Sequence, residues 1–257
     1  MQKLPISLTV ITKNEEKNIE RCLRSAPFVS EIILIDGESS DKTLELAQKL
    51  GANVFVENWQ GFGPQKQIAV GKAKYDWILS LDADEALSPE LSAEICARFS
   101  SLDEKTGYQI PRRSYHLGKW INFGGWFPDR QLRLFNKKFS NWDDAKIHEK
   151  VIAQNTETFQ STLLHWVFED LSHQVQTNNR YSSLQAEALF AQGKKFSFFK
   201  LLVKPISKFI ESYFLKRGFL DGMPGLIISV SASYSVFLKW AKLWELENKN
   251  KSKTELP

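Results

Sequence analysis

Short apolar runs alternate with helical patterns through the amino-terminal part of this sequence. The runs at 8–12, 32–35 and 77–81 have the length and composition of buried strands, and amphipathic patterns lie between them. Two of the runs lead directly into an aspartate, Asp36 or Asp82. This alternation predicts an α/β fold with an open, mostly parallel sheet. Its ligand is expected along the edge that the carboxyl ends of the strands form.

The run at 77–81 ends in Asp82-Ala83-Asp84, which supplies two carboxylates at the predicted edge. On an extended backbone, a spacing of two places both side chains on one face. Two oxygen donors side by side suit Mg²⁺ or Mn²⁺ carrying a phosphate ligand. Aspartate pairs of this spacing are also common at strand ends and helix caps, so the pair alone leaves both interpretations open.

Three motifs occur in a fixed order: ITKNEEKNI at 11–19, ILIDGESSDKT at 33–43 and LDADE at 81–85. Together they resemble the first half of a family 2 glycosyltransferase, a family with the Rossmann-like nucleotide-sugar fold called GT-A. Two later motifs, GGWFPDRQLRLFNKK at 124–138 and IHEK at 147–150, are similar to a narrower branch. That branch consists of bacterial enzymes that add β-linked glucose to the heptose of the lipopolysaccharide core.

The resemblance implies a site for a UDP-sugar donor. It implies that Asp84 binds a divalent metal ion directly and that Asp82 faces the nucleotide ribose or the same ion. A metal ion and basic side chains can both neutralise the leaving diphosphate. Asp36 is expected near the uracil, although Gly37 replaces the second acid of the family's usual Asp-Asp-Gly-Ser segment. The other nucleotide-binding candidates that the resemblance implies are Thr12, Glu15 and Lys66.

Three further side chains are candidates for contact with the metal ion or the diphosphate. His165 stands where many GT-A enzymes supply a histidine to the metal shell, but a buried imidazole bonded to backbone would have the same appearance in sequence. Arg130 and Arg133 could pair with phosphate or with acidic loop residues. Their spacing puts them on opposite faces of a strand, so we expect only one of them to face the site.

The catalytic base is expected to be a carboxylate. An inverting glycosyl transfer needs a base that deprotonates the acceptor hydroxyl as it attacks from the face opposite the diphosphate. In the resembled family the base follows a strand that ends in aromatic and basic residues, and 132–137 is similar to that strand. Glu149, in the pair His148-Glu149, is therefore the predicted base, and Asp129 is the second candidate. A surface acid at the start of a helix would also account for Glu149.

A length of 257 residues, 42% of them hydrophobic, suffices for one large α/β domain and an appendage. We expect a GT-A catalytic domain over 1–190, a basic amphipathic helical region over 191–246 and a disordered tail over 247–257. Cys22 and Cys96 fall on apolar helical faces, which predicts reduced thiols. Together with the absence of a signal-peptide pattern, they predict a cytoplasmic protein.

The segment 194–257 carries twelve Lys or Arg and five Asp or Glu, interleaved with aromatic and aliphatic residues. This composition predicts an amphipathic helix on an anionic membrane surface. A helical subdomain packed on the catalytic domain, or on a second copy in a homodimer, would use the same residues. The apolar stretch at 226–238 is shorter than the roughly twenty residues that a bilayer crossing needs. Nucleic acid is not an expected partner, because the charge lies on an apolar helix rather than on an open stacking surface.

The sequence therefore predicts an inverting, metal-dependent transferase that moves a hexose, expected to be glucose, from a UDP-sugar to a lipid-linked acceptor. The lipopolysaccharide inner core is the expected acceptor, reached at the inner face of the bacterial cytoplasmic membrane. Polyprenyl phosphate and a protein side chain are alternative acceptors. A sugar nucleotidyltransferase is an alternative from another class, but it would need a Gly-rich, basic first loop, whereas ITKNEE is acidic. A non-catalytic membrane adaptor would be expected to lack the aspartate pair, which is intact.

Overall fold

The computed structural model of the chain describes residues 2–143 and 149–255, with side chains as far as Asn250. Glu149 is described. His148, which precedes the predicted base, lies outside the described residues.

The chain folds as two compact units. We call Met1–Arg113 together with Pro128–Trp166 the sheet unit, and Ser114–Phe127 together with Val167–Pro257 the helical unit. This division differs from the predicted one, which ended the catalytic domain at residue 190. The difference arises in part because residue 190 lies inside a long helix, Leu171–Ala191, that packs with the carboxyl-terminal helices.

A mixed sheet forms the sheet unit. In chain order, the strands of the described residues are β1 (Leu4–Thr12), β2 (Val29–Asp36), β3 (Asn53–Val56), β4 (Trp77–Asp82), β5 (Glu85–Leu87), β6 (Thr106–His116), β7 (Lys119–Trp120), β8 (Asp129–Asn136), β9 (Asn141–Trp142), β10 (Val151–Ile152), β11 (Asn155–Thr158) and β12 (Leu163–His165). The sheet order is β3-β2-β1-β4-β8-β6-β12-β5, with β11 and β7 paired to β6. The block β3-β2-β1-β4 is parallel, as predicted, and β4-β8, β8-β6 and β12-β5 are antiparallel. Strands β9 and β10 form a separate antiparallel pair.

Helices follow the parallel strands and confirm the predicted α/β alternation. They are α1 (Ile19–Arg24), α2 (Thr43–Lys49), α3 (Phe62–Lys72) and α4 (Pro89–Arg98). Helix α4 begins as its sequence indicates, since Ser88 Oγ accepts a hydrogen bond from Leu91 N at 3.1 Å and Pro89 occupies the first helical position. At the start of α2, Asp41 accepts from Thr43 N and Oγ1 and, with its other oxygen, from Glu16 N. One carboxylate thus anchors the helix and joins it to the loop after β1.

Alternate residues of β1 pack on opposite faces of the sheet. Leu8 and Val10 lie in a buried cluster with α1 and α4, whereas Ile11 lies in a second cluster with α3. Because both faces are covered, the central strands read as continuous apolar runs. Cys22 of α1 is unpaired and fully buried. Burial, reinforced by the charge of Glu85, raises the pKa of its thiol well above the usual value, which makes it an inert core residue.

The helical unit consists of the 114–127 hairpin region and three long helices. These are α5 (Leu171–Ala191), α6 (Phe198–Ile210) and α7 (Met223–Glu255), with two short helical turns, Glu211–Leu215 and Gly218–Asp221, between α6 and α7. Both α5 and α6 pack against α7, around a small core that includes Ala186, Trp240 and Leu243. Residues 247–255, which the sequence analysis assigns to a disordered tail, continue α7 as far as Glu255.

The described residues include one helical segment, Met223–Asn250, with the length and composition that a membrane crossing requires. The expectation of an apolar stretch limited to 226–238 is therefore too short, because α7 extends the apolar pattern in both directions. The core helix of a soluble protein can meet the same criteria, so the finding by itself does not define a span.

Candidate active site

Asp82 and Asp84 do not lie on one face of a continuous strand, contrary to the expectation from their spacing. Strand β4 ends at Asp82, and Ala83 and Asp84 form a turn that leads into β5. The side chain of Ala83 is buried. Because the backbone turns at this point, the two carboxylates reach different partners.

Asp82 belongs to a buried network of charges. Its Oδ2 accepts a hydrogen bond from a terminal nitrogen of Arg133 at 2.5 Å, and the same nitrogen donates to Glu85 Oε1 at 2.6 Å. The other oxygen of Glu85 accepts from the backbone N–H of Asp82 at 3.0 Å. Burial alone would raise the pKa of Asp82, but Arg133 and then Lys66 outweigh it and hold that pKa well below its usual range. The network therefore keeps Asp82 negatively charged and fixed in position.

A second arginine extends the network to the second candidate base. Arg112 donates to Glu85 Oε1 at 2.9 Å and gives Asp129 Oδ2 two bonds, of 3.0 and 2.6 Å. Gln131 donates to the other oxygen of Asp129 at 2.8 Å. Both oxygens of Asp129 are thus engaged by side chains. Arg133 is buried, whereas Arg130 is exposed on the other face of β8, as their spacing predicts.

Lys66 joins the predicted base to the predicted donor site. This lysine of α3 is almost fully buried, and its Nζ lies 2.9 Å from Asp82 Oδ1 and 2.9 Å from Glu149 Oε1. The ring centroid of Trp142 lies 4.5 Å from the same nitrogen. Residues far apart in the sequence therefore meet at one ammonium group: Asp82 is the last residue of β4, and Glu149 lies between β9 and β10.

Asp84 is brought to His165 rather than to Asp82. His165 Nε2 lies 3.3 Å from Asp84 Oδ2, and the backbone oxygen of Asp84 accepts from Trp166 N at 3.0 Å. The antiparallel pairing of β12 with β5 sets this approach, since it places His165 opposite Glu85. Within residues 2–143 and 149–255, no group of three or more His, Cys, Asp or Glu side chains is arranged to hold a metal ion. Of the predicted metal ligands, the structure pairs Asp84 with His165, and it gives Asp82 cationic partners.

At the ends of β1 and β2, Asp36 and Thr12 lie side by side in register. Asp36 is fully buried and accepts from both the N–H and the hydroxyl of Ser39, at 2.7 and 2.5 Å. The hydroxyl of Thr12 is buried without a hydrogen-bond partner among the described residues. In the loop that follows, Glu15 N donates to Thr43 Oγ1 at 2.8 Å, which ties the loop to α2. The carboxylate of Glu15 accepts from Asn18 Nδ2 at 2.7 Å, an interaction within the same turn.

Trp59 lies against Gly37, at the position where the sequence lacks the family's second acid. A Cβ at Gly37 would come within 2.9 Å of Trp59 Cε3, so the absence of a side chain there admits the indole ring. Phe62 supports the ring edge-on, with 5.1 Å between centroids, and Trp59 remains 38% exposed. Trp59 was not among the site residues predicted from the sequence. The departure at Gly37 was the available signal, because a glycine in place of a side chain leaves room for another group.

Trp126, in the motif at 124–138, lies in the helical unit. Its ring stacks on His116 with centroids 5.8 Å apart, and it also contacts Phe168. His116 is buried and bonds to Gln174 at 3.0 Å, and its burial lowers its pKa. Trp126 is thus part of a packed aromatic cluster within the helical unit.

An α/β fold with acidic side chains along the carboxyl edge of its parallel strands is characteristic of glycosyltransferases of the GT-A class. The chain belongs to glycosyl transferase family 2, whose family model matches residues 7–154. It is an enzyme of that family.

Relatives of the chain agree with this assignment. An uncharacterized glycosyltransferase of Rickettsia typhi is 35% identical over 260 residues, which cover 96% of this chain and 89% of the relative. The lipopolysaccharide core biosynthesis glycosyltransferase LpsC of Rhizobium meliloti is 30% identical over 258 residues, covering 95% and 93%. Among solved structures, the S. aureus protein TarS (residues 1–349) in complex with UDP has a TM-score of 0.46 at 12% identity, covering 98% of this chain and 92% of that one.

Proposed function

We propose that this enzyme transfers a hexose, glucose in the first instance, from a UDP-sugar to a lipid-linked acceptor such as the heptose of a lipopolysaccharide inner core. The observation that carries the proposal is the junction at Lys66, where the ammonium group lies 2.9 Å from both Asp82 and Glu149. The relative named for lipopolysaccharide core biosynthesis supports the class of acceptor. A lipid-linked acceptor also implies work at the cytoplasmic face of a membrane.

The donor site is assigned to the edge formed by β1, β2 and β4. Trp59 offers a ring face for the uracil, and the unpaired hydroxyl of Thr12 offers a polar contact beside Asp36. Glu15 is assigned to the nucleoside part of the site, because it lies in the loop that follows β1 and helps to fix that loop. Lys66 supplies a fixed positive charge close to the diphosphate. Its electrostatic attraction to the diphosphate strengthens as the leaving group takes up negative charge.

Asp84 and His165 are the residues that would hold a divalent ion, with Asp82 two residues earlier at the end of β4. Carboxylate oxygens are the donors that Mg²⁺ and Mn²⁺ prefer, and His165 would add an imidazole nitrogen. When bound, such an ion supplies Lewis-acid charge for the leaving diphosphate. Arg133, bonded to both Asp82 and Glu85, fixes the position of the Asp82 carboxylate. Such outer contacts orient the groups that a bound metal ion would meet.

Glu149 is assigned as the general base. In an inverting displacement the acceptor oxygen forms a bond to the anomeric carbon, the bond from that carbon to the diphosphate oxygen breaks, and the hydroxyl proton passes to the base. Glu149 is oriented by Lys66 through Oε1. Asp129 is less suited, because Arg112 and Gln131 already bond to both of its oxygens.

Calorimetric titration of the purified chain with UDP, with and without Mn²⁺, tests the donor assignment. We expect UDP-selective, metal-dependent binding over CDP and GDP, and an Asp84→Ala variant should keep only the metal-independent part. Mutation of an outer-shell partner typically lowers metal affinity by about ten- to a hundredfold, so loss of a direct ligand should lower it at least as much. Exposed Asp76, paired with Lys138, provides a matched Asp→Ala control. Failure to bind UDP in the presence of metal would refute the proposal, and preference for CTP would favour a nucleotidyltransferase.

A further inference from the structure

Helix α6 has two apolar sides, and only one of them is buried. Pro205 and Leu201 face the interior of the helical unit, where Ser233 of α7 donates to the backbone oxygen of Pro205 at 2.8 Å. The opposite side is exposed at spacings of three and four residues, which form one stripe on a helix. The side chains of this stripe are 36–72% exposed: Phe198, Phe199, Leu202, Val203, Ile206 and Ile210.

The exposed stripe continues beyond α6 into the two helical turns. Phe214 contacts the ring of Phe209 from α6, at 6.2 Å between centroids, and Tyr213 contacts Phe219 at the same distance. Leu215 is 75% exposed, the largest exposure among the large apolar residues of the described side chains. We call the exposed apolar side chains of 198–223 the docking face. Exposed apolar side chains that share one helix stripe, rather than being scattered singly, are typical of an interaction site.

The charges around the docking face favour an anionic partner. Between residues 194 and 223 there are seven Lys or Arg and two acidic residues. Glu211 is neutralised by Lys208 and Lys216, at 3.2 and 2.5 Å. Asp221 is buried and accepts from the backbone N–H groups of Asn122 and Phe123. The surface around the docking face is therefore net positive, and both of its acidic side chains already have partners.

This charge distribution separates a lipid surface from a second copy of the chain. Two copies that met through the docking face would bring lysines against lysines, and like charges in an interface are unfavourable. Lipid phosphates have the opposite charge, and an amphipathic helix flanked by lysines can insert its apolar side chains among acyl chains while the ammonium groups stay at the headgroups.

Helix α7 is the other candidate for membrane contact, but its polar side chains are bonded inside the helical unit. Asn178 of α5 donates to Ser231 Oγ at 2.7 Å. Lys242 donates to the backbone and side-chain oxygens of Asn179, at 2.7 and 2.6 Å. A crossing by α7 would separate these partners and expose a lysine to hydrocarbon, which is costly.

We infer that the docking face binds the surface of a bilayer that contains anionic phospholipids, with α6 lying in the interface and α7 remaining packed in the helical unit. The inference concerns binding alone and does not depend on the proposed donor or reaction. Helix α6 then holds the enzyme on the surface where a lipid-linked acceptor lies.

Sedimentation of the full chain with vesicles tests this inference. We expect binding to vesicles of phosphatidylglycerol and phosphatidylcholine, weakened by salt, and little binding to phosphatidylcholine alone. The double variant Phe199→Ser, Ile206→Ser should bind at least about tenfold more weakly, because two exposed apolar anchors are lost. Val230→Ser, Tyr234→Ser is the matched control on the exposed side of α7, and it should bind as the wild type does.

A second variant tests the charge contribution without touching apolar residues. Lys195→Gln, Lys204→Gln should weaken binding to anionic vesicles by about fivefold for each lysine removed. Equal binding by all variants, or binding that resists alkaline extraction, would overturn the inference in favour of α7 crossing the bilayer. A dimer in light scattering that the Phe199→Ser, Ile206→Ser variant dissociates, without vesicle binding, would identify a second copy as the occupant. Circular dichroism of each variant verifies that it is folded.

Discussion

The sheet unit buries charge, whereas the helical unit exposes apolar surface. Along the sheet edge, Arg133 and Glu85 are almost completely buried and bonded to each other. On α6, Phe199 and Ile206 are 72% and 61% exposed. Both arrangements are unfavourable for a chain selected for stability alone, because buried charges lose hydration and exposed apolar groups order water. The difference is what the two proposals require, since they assign a charged sugar nucleotide to the sheet edge and an anionic bilayer surface to α6.

The largest expected effect comes from removing the base while leaving its surroundings intact. Glu149→Gln keeps the shape of the side chain but cannot accept the hydroxyl proton, so kcat should fall by about 10²- to 10⁴-fold. UDP binding should persist in calorimetry, which separates chemistry from the donor site. Glu157→Gln changes an exposed glutamate paired with Arg98 and serves as the control. Turnover close to that of the wild type would move the base to Asp129.

Replacing a buried charge at the sheet edge by an apolar side chain should destabilise the sheet unit. Arg133→Met places an apolar side chain in the buried network and leaves Asp82 and Glu85 without their shared partner. The free energy of unfolding in urea should fall by about 3–5 kcal/mol. Arg130→Met, on the exposed face of the same strand, should change it by less than about 0.5 kcal/mol.

Urea unfolding of a variant in the helical unit should show no comparable loss of stability. Phe199→Ser, Ile206→Ser removes exposed apolar groups and should leave the free energy of unfolding within about 0.5 kcal/mol of the wild type. A loss comparable to that of Arg133→Met would mean that the two regions do not differ in the way described, and that the α6 stripe is covered in solution.

A smaller effect is expected at the ring beside Gly37. Trp59→Ala should weaken UDP binding by about tenfold, since stacking of a base on an aromatic ring contributes roughly 1–3 kcal/mol. Phe139→Ala removes a ring of equal exposure from another loop and should not change the affinity. Unchanged affinity in Trp59→Ala would assign the uracil to a different surface.

The smallest expected effect is on how the free energy of unfolding changes with pH under acidic conditions. The pKa of Asp82 is lowered in the folded state, so its contribution is complete above the unfolded value of about 3.9 and is lost as the pH falls through the lower folded value. Urea unfolding below about pH 4 should therefore lose stability less steeply in Asp82→Asn than in the wild type. Parallel slopes would show that Arg133 and Lys66 do not act on this carboxylate.

Much of the fold could be predicted because its signals are local. The apolar runs that became β1, β2 and β4, the helices between them, and Ser88 at the start of α4 were all readable from spacing and residue type. The turn at Ala83-Asp84 was not readable, because an extended backbone and a turn accept the same Asp-x-Asp sequence. The length of α7 was also underestimated, since its serines and lysines interrupt the apolar pattern and only their bonds to α5 and α6 account for them.

The sequence by itself determined the α/β class, the order of the parallel strands' acidic ends and the family to which the chain belongs, because these depend on residue type and local spacing. Only the tertiary structure decided which charges meet. Lys66 reaches Asp82 and Glu149, Arg112 joins Glu85 to Asp129, and Trp59 lies over Gly37. These contacts join residues that the sheet brings together from distant segments, and the direction in which each side chain points is set by packing that no local pattern records.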